Sequence, residues 1–69
     1  MRPMYPNVRL RDRNGADGGR WFVAVDDTRQ IAFINAELEV FQREEPASGW
    51  RLETRGETAD WHPVLGGRL

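Results

Sequence analysis

The segment 28–45 decides which fold class this chain can adopt. Its apolar residues recur at spacings of three, four and three, which is the period of one helix face. They are Ile31, Ile34, Leu38 and Phe41. Asp27 and Gln30 have the spacing of a capping box at the start of the segment, and Pro46 follows its end. The sequence therefore predicts a helix over 28–45.

The same segment also has features of β-structure. Residues 31–34 are rich in β-branched and aromatic side chains, and residues 37–40 alternate between polar and apolar. Strands near 30–34 and 37–43 would give an all-β antiparallel meander or a small barrel. This alternative needs a tight reversal at 35–36 without the glycine that such a turn usually requires, so the helix is the preferred interpretation.

Three other segments have strand patterns. Residues 8–12 and 50–55 alternate with period two, and residues 20–26 are apolar on both faces. Gly, Asn and Asp cluster over 14–19, which predicts a hairpin loop between the first two strands. We therefore expect an α+β fold, in which a small antiparallel sheet of about 8–12, 20–26 and 50–55 carries the helix on one face.

The length of 69 residues is enough for one small domain. We expect 1–69 to form it, with an extended N-terminal arm at 1–7, where two prolines disfavour regular structure, and a flexible C-terminal tail at 66–69. Cysteine is absent, so no disulfide can support the small core, and a homodimer is an expected means of support. No apolar run approaches the roughly 18 residues of a membrane span, and the N-terminal residues lack the apolar stretch of a secretory signal. We therefore expect a cytoplasmic protein that does not bind a membrane.

The chain offers few side chains for catalysis or metal binding. His62 is its one histidine, Ser48 its one serine, and cysteine is absent. Asp26 and Asp27 could hold a divalent cation together with Asp60, but the start of a helix explains this acidic pair without an ion. We therefore expect no enzyme activity, no cofactor and no metal.

The predicted helix has more apolar side chains than one core-facing stripe can use. Phe33 and Val40 are seven residues apart on its other side, and Glu37 and Glu44 flank them. An apolar spot inside an acidic rim is the usual composition of a recognition surface. The alternative is burial of this pair under the N-terminal arm or the C-terminal tail. The pattern predicts a non-enzymatic module, an inhibitor or adaptor, that occupies a surface of a larger protein; a chain this short is also typical of a phage or mobile-element inhibitor.

The distribution of charge supports an alternative function. The net charge is −1, which argues against nucleic-acid binding as the main role. However, residues 1–25 have a net charge of +3 and residues 26–45 a net charge of −4. Arg9, Arg11 and Arg13 alternate along the first predicted strand, so a nucleic-acid-binding domain that uses this arginine face as an electrostatic contact is the alternative.

Overall fold

The computed structural model describes residues 5–18, 21–56 and 58–69, and it shows the expected α+β fold. A four-stranded antiparallel sheet of order β2-β1-β3-β4 carries one helix. The elements are β1 (Tyr5–Arg11), β2 (Phe22–Val25), α1 (Thr28–Glu44), β3 (Arg51–Arg55) and β4 (His62–Pro63), with 3-10 turns at Pro46–Ser48 and Leu65–Gly67. The all-β alternative is wrong, because the segment that it divides into two strands forms one continuous helix.

β1 lies inside the sheet, between β2 and β3. Val8 and Leu10 are fully buried in the core, whereas Arg9 between them lies on the opposite face of the sheet. The predicted alternation is therefore confirmed, and the strand begins earlier than expected, at Tyr5. Residues 5–7 of the expected arm thus belong to the sheet, and residues 1–4 of that arm lie outside the described residues.

β2 does not alternate in the simple way that its sequence suggests. Phe22 and Val25 are both buried, and Val23 between them is 62% exposed. Ala24 has φ of +53°, a left-handed conformation that is rare for a residue with a side chain. This residue shifts the alternation by one position, so that two residues three apart in the chain both reach the core.

Residues next to its two ends determine where α1 begins and ends. The Asp27 side chain accepts a hydrogen bond of 2.7 Å from the backbone N–H of Gln30, which satisfies one of the free donors of the first turn. Pro46 follows the last turn and begins a 3-10 turn instead. Ile34 and Leu38 are buried, so one face of the helix covers the sheet and the other remains outside.

Removing the carboxylate at the helix start should weaken the fold measurably. We expect Asp27→Ala to lower the free energy of unfolding by about 0.5–2 kcal/mol, because the Gln30 N–H loses its acceptor. Urea titration followed by circular dichroism measures this change. Asp27→Ser should restore most of the loss, and Asp26→Ala, with the same change of charge one residue earlier, should have a smaller effect. Equal losses for the two alanine variants would show that charge, and not capping, stabilises the helix.

The C-terminal part of the chain completes the sheet and covers the core. β4 pairs with β3 through Glu53 and Thr54, adding a fourth strand that the sequence pattern did not predict. Beyond β4, Val64 is buried in the core. The Asn35 side chain exchanges two hydrogen bonds with the main chain of Leu69, at 2.9 and 3.1 Å, and so connects the segment expected to be a tail to the helix.

Candidate functional site

The outward side of α1 has an apolar depression. It has a volume of about 300 Å³, and we call it the helix groove; its lining residues are Phe33, Ala36, Glu37, Val40 and Phe41. Phe33 is 45% exposed and Val40 39% exposed, although both are large apolar side chains. The structure thus brings together three of the four residues that the sequence suggested for a partner site. Glu44, the fourth, is exposed one turn beyond Val40 and does not line the groove.

Phe33 also borders a second depression, at the junction of α1 and β2. Its ring packs edge-on against Phe22, with 6.1 Å between the ring centres. The residues that line this second depression are Trp21, Phe22, Val23, Asp27, Arg29, Gln30 and Phe33. Because Phe33 is shared, exposed apolar side chains continue from the edge strand across the helix to Val40.

The charge around the helix groove is acidic. Glu37 is the charged residue among those that line it, and it is half-buried. The surrounding segment 26–45 carries six acidic residues and two arginines, which gives a net charge of −4. Glu39, on the same helix, lies 3.6 Å from the Arg68 guanidinium, but both side chains are more than half exposed, so solvent screens this pair.

The sheet surface opposite α1, which we call the outer sheet face, holds a buried ion pair. An Nη of Arg9 lies 2.8 Å from Oε1 of Glu53, and Nε donates a second hydrogen bond to the same oxygen. Both side chains are about 10% exposed, at 11% and 9%. Arg51 reaches the other carboxylate oxygen of Glu53 at 3.2 Å, and this third side chain is 42% exposed.

Two tryptophans cover this ion pair. The rings of Trp21 and Trp61 meet edge to face with 5.1 Å between their centres. The Arg9 guanidinium lies 4.1 Å from the ring centre of Trp61, and that of Arg55 lies 4.8 Å from it. Such contacts are attractive because the electron-rich ring face meets a positive charge. The outer sheet face therefore combines aromatic rings with guanidinium groups.

The three arginines expected along the first strand do not form one open face. Arg9 is buried under the tryptophans, and Arg11 pairs with Asp17 at 2.7 Å. Arg13 lies beyond the end of β1 in the following turn, where its backbone N–H bonds to Ser48. The alternation was predicted correctly for the strand, but the partners of its outward side chains come from other segments of the chain.

The residues considered for catalysis or metal binding do not form a shared site in the described part of the chain. The Asp27 carboxylate caps α1. His62 is exposed in β4, and its Nδ1 lies 3.3 Å from the main-chain oxygen of Asp60. Within 5–18, 21–56 and 58–69, no three His, Cys, Asp or Glu side chains come together in a way that could hold a metal ion.

Sequence reasoning missed the cluster of Trp21, Trp61, Arg55 and Glu53. Arg9 lies 44 residues from Glu53 in the chain, and the β1–β3 register alone places them opposite each other. Charged residues alternate along 50–55 and along the first predicted strand. A pairing of these two strands was the feature of the sequence that could have indicated the cluster.

The function has to be inferred from the helix groove and the outer sheet face, because comparisons with known proteins identify no relative. In the part of the chain that the structure describes, no helix is long and apolar enough to cross a membrane. No protein-family model, no curated protein and no solved structure matches this chain.

Proposed function

We propose that this protein is a non-enzymatic binding module that holds a larger protein through its helix groove, as an inhibitor or adaptor. The observation that supports this proposal is the exposure of Phe33 and Val40 around one depression, on the side of α1 that faces away from the core. Adjacent large apolar side chains in contact with water lose unfavourable hydration when a partner covers them. The module would act by occupying a surface, because the groove offers contact area and no reactive group.

The charge of the groove defines the chemistry of the partner. Glu37 and the acidic segment 26–45 favour a protein that presents an apolar side chain next to lysine or arginine. A homodimer built on the same face would place two acidic surfaces against each other, since a two-fold interface pairs identical patches. We therefore propose that the partner is a different protein with basic residues around its contact surface. The experiment below also detects a homodimer.

A displayed library of random peptides tests this proposal without a known partner. We expect selection on the wild-type protein to enrich peptides that carry an aromatic or aliphatic residue beside lysine or arginine. Their affinity should fall at least about tenfold for Val40→Glu, which places a charge in the groove, and for Glu37→Arg, which reverses its charge. Ala47→Glu makes the same charge change as Val40→Glu at an exposed site outside the groove and should bind like the wild type.

Three results would contradict the proposal. The first is a library that yields no specific peptide, and the second is a set of peptides that bind Val40→Glu as tightly as the wild type. The third comes from light scattering at micromolar protein. A dimer that Val40→Glu converts to a monomer would mean that a second copy, and not a foreign protein, occupies the groove.

A further inference from the structure

We propose that the outer sheet face binds single-stranded nucleic acid, with a base stacked on Trp21 and phosphate groups held by Arg51 and Arg55. The arginines of this site lie on the side of the sheet opposite α1, and Trp21 stands at the border between that side and the depression that it shares with Phe33. It would give the protein a second ligand in addition to the proposed protein partner.

The described residues of this face carry an excess of positive charge. Arg9 and Arg51 both bind Glu53, and among the described residues Arg55 lies within ion-pair distance of no carboxylate. Among the described residues of this face, the guanidinium groups of Arg9, Arg51 and Arg55 therefore accompany the one carboxylate of Glu53. The Nε of Arg55 is buried and has no hydrogen-bond partner in the described part of the chain. Because Nε is closed to solvent, a phosphate would contact the other nitrogens of the Arg55 guanidinium through charge-assisted hydrogen bonds.

An aromatic surface lies next to these charges. Trp21 is 46% exposed, and its ring makes an edge-to-face contact with Trp61 and lies 5.9 Å from the Arg9 guanidinium. Bases of every type can stack on such a ring, and neighbouring arginines can hold the backbone phosphates. Because the rings and guanidiniums already support one another, binding would require little reordering.

The net charge of −1 does not exclude this site, because it is the sum over the acidic helix side and the basic outer sheet face. The acidic segment 26–45 comprises α1 and its flanking residues, and α1 covers the other side of the sheet. The molecule is 21 Å across in its thinnest direction. Salt screens exposed charges beyond about 8 Å at physiological ionic strength. A phosphate at Arg55 would therefore interact mainly with the arginines near it.

Fluorescence anisotropy with a labelled oligothymidylate tests the proposal. We expect binding that weakens steeply between about 50 and 200 mM salt, as phosphate contacts require. Trp21→Ala should weaken it about tenfold by removing a stacking surface. Arg55→Gln and Arg51→Gln should each weaken binding and lower the salt slope by about one. Arg43→Gln, which removes the same charge from the exposed side of α1, should have no effect. Thermal melting of each variant verifies that it is folded.

Competitors without bases identify the part of the ligand that is recognised. Inorganic polyphosphate should bind more weakly than the oligonucleotide and should not discriminate between wild type and Trp21→Ala. Equal oligonucleotide affinities for these two proteins, or equal losses for Arg43→Gln and Arg55→Gln, would overturn the proposal. So would binding to polyglutamate in the absence of binding to the oligonucleotide, because the face would then recognise an acidic peptide. Val40→Glu should leave oligonucleotide binding unchanged, so that the two surfaces are tested independently.

Discussion

Glu53→Gln is expected to lower the free energy of unfolding by about 3–5 kcal/mol, one of the two largest effects that we predict for a single substitution. The Arg9 and Glu53 side chains are 11% and 9% exposed, and 2.8 Å separates their charged atoms. Glutamine retains the size of the side chain but removes its charge, which leaves the Arg9 guanidinium buried without a carboxylate. Urea unfolding followed by tryptophan fluorescence measures the loss.

Two comparison variants show whether burial is the cause. Glu39→Gln breaks the exposed pair with Arg68 and should change stability by less than about 1 kcal/mol. Replacing Arg9 and Glu53 together with methionine should cost less than Glu53→Gln alone, because neither charge is then left unpaired. If Glu53→Gln and Glu39→Gln had equal effects, the pair under the tryptophans would not be desolvated.

Leu38→Ala should also be strongly destabilising, by about 2–5 kcal/mol. Leu38 is 2% exposed in the core, and truncation leaves a cavity that the sheet and helix can fill only partly. Val40→Ala, two residues further along α1, should cost less than about 1 kcal/mol, because that side chain is 39% exposed. Urea titration of both variants under identical conditions gives the comparison.

This pair of variants tests which face of α1 packs on the sheet. The two side chains are close in sequence and similar in chemistry, so helix propensity contributes little to the difference between them. If Val40→Ala were as destabilising as Leu38→Ala, the helix would be rotated about its axis or a covering segment would bury Val40. The helix groove would then be part of the core, and the proposed protein-binding surface would be lost.

The two faces of the molecule differ in chemistry, and we propose a different kind of ligand for each. The helix side is apolar and acidic, and the outer sheet face is aromatic and basic. A protein that holds one partner on each face could bring the two together, which is the usual role of an adaptor. Val40→Glu changes the helix groove and Arg55→Gln changes the outer sheet face, so a binding assay on both ligands can separate the two contributions.

The sequence predicted those features of the structure that depend on residues close together in the chain. The spacing of Ile34 and Leu38 along a helix, the capping spacing of Asp27 and Gln30, and the stop at Pro46 depend on neighbours within a few residues. The exposure of Phe33 and Val40 followed from the same periodicity, once one stripe was assigned to the core. Each of these features can be worked out from a window shorter than the helix.

Two local features of the structure could not be predicted from the sequence. Ala24 has a positive φ between two residues of β2 that pair with β1, and nothing about an alanine indicates this conformation in advance. The short pairing of His62–Pro63 with β3 was also missed, because a strand of two residues has no periodicity to detect.

The sequence by itself determined the helix, the main strands and the apolar residues left over on the outside of α1. Only the tertiary structure decided which charges are free. The β1–β3 register places Glu53 opposite Arg9, and Trp21 and Trp61 close over them from two distant segments. Helix and strand periodicity depends on the local backbone, whereas an ion pair depends on distances between residues that the chain brings together only when it folds. Arg9 of β1 is for that reason part of a covered ion pair, and the neighbouring strand adds Arg51, which also pairs with Glu53, and Arg55, which packs against Trp61.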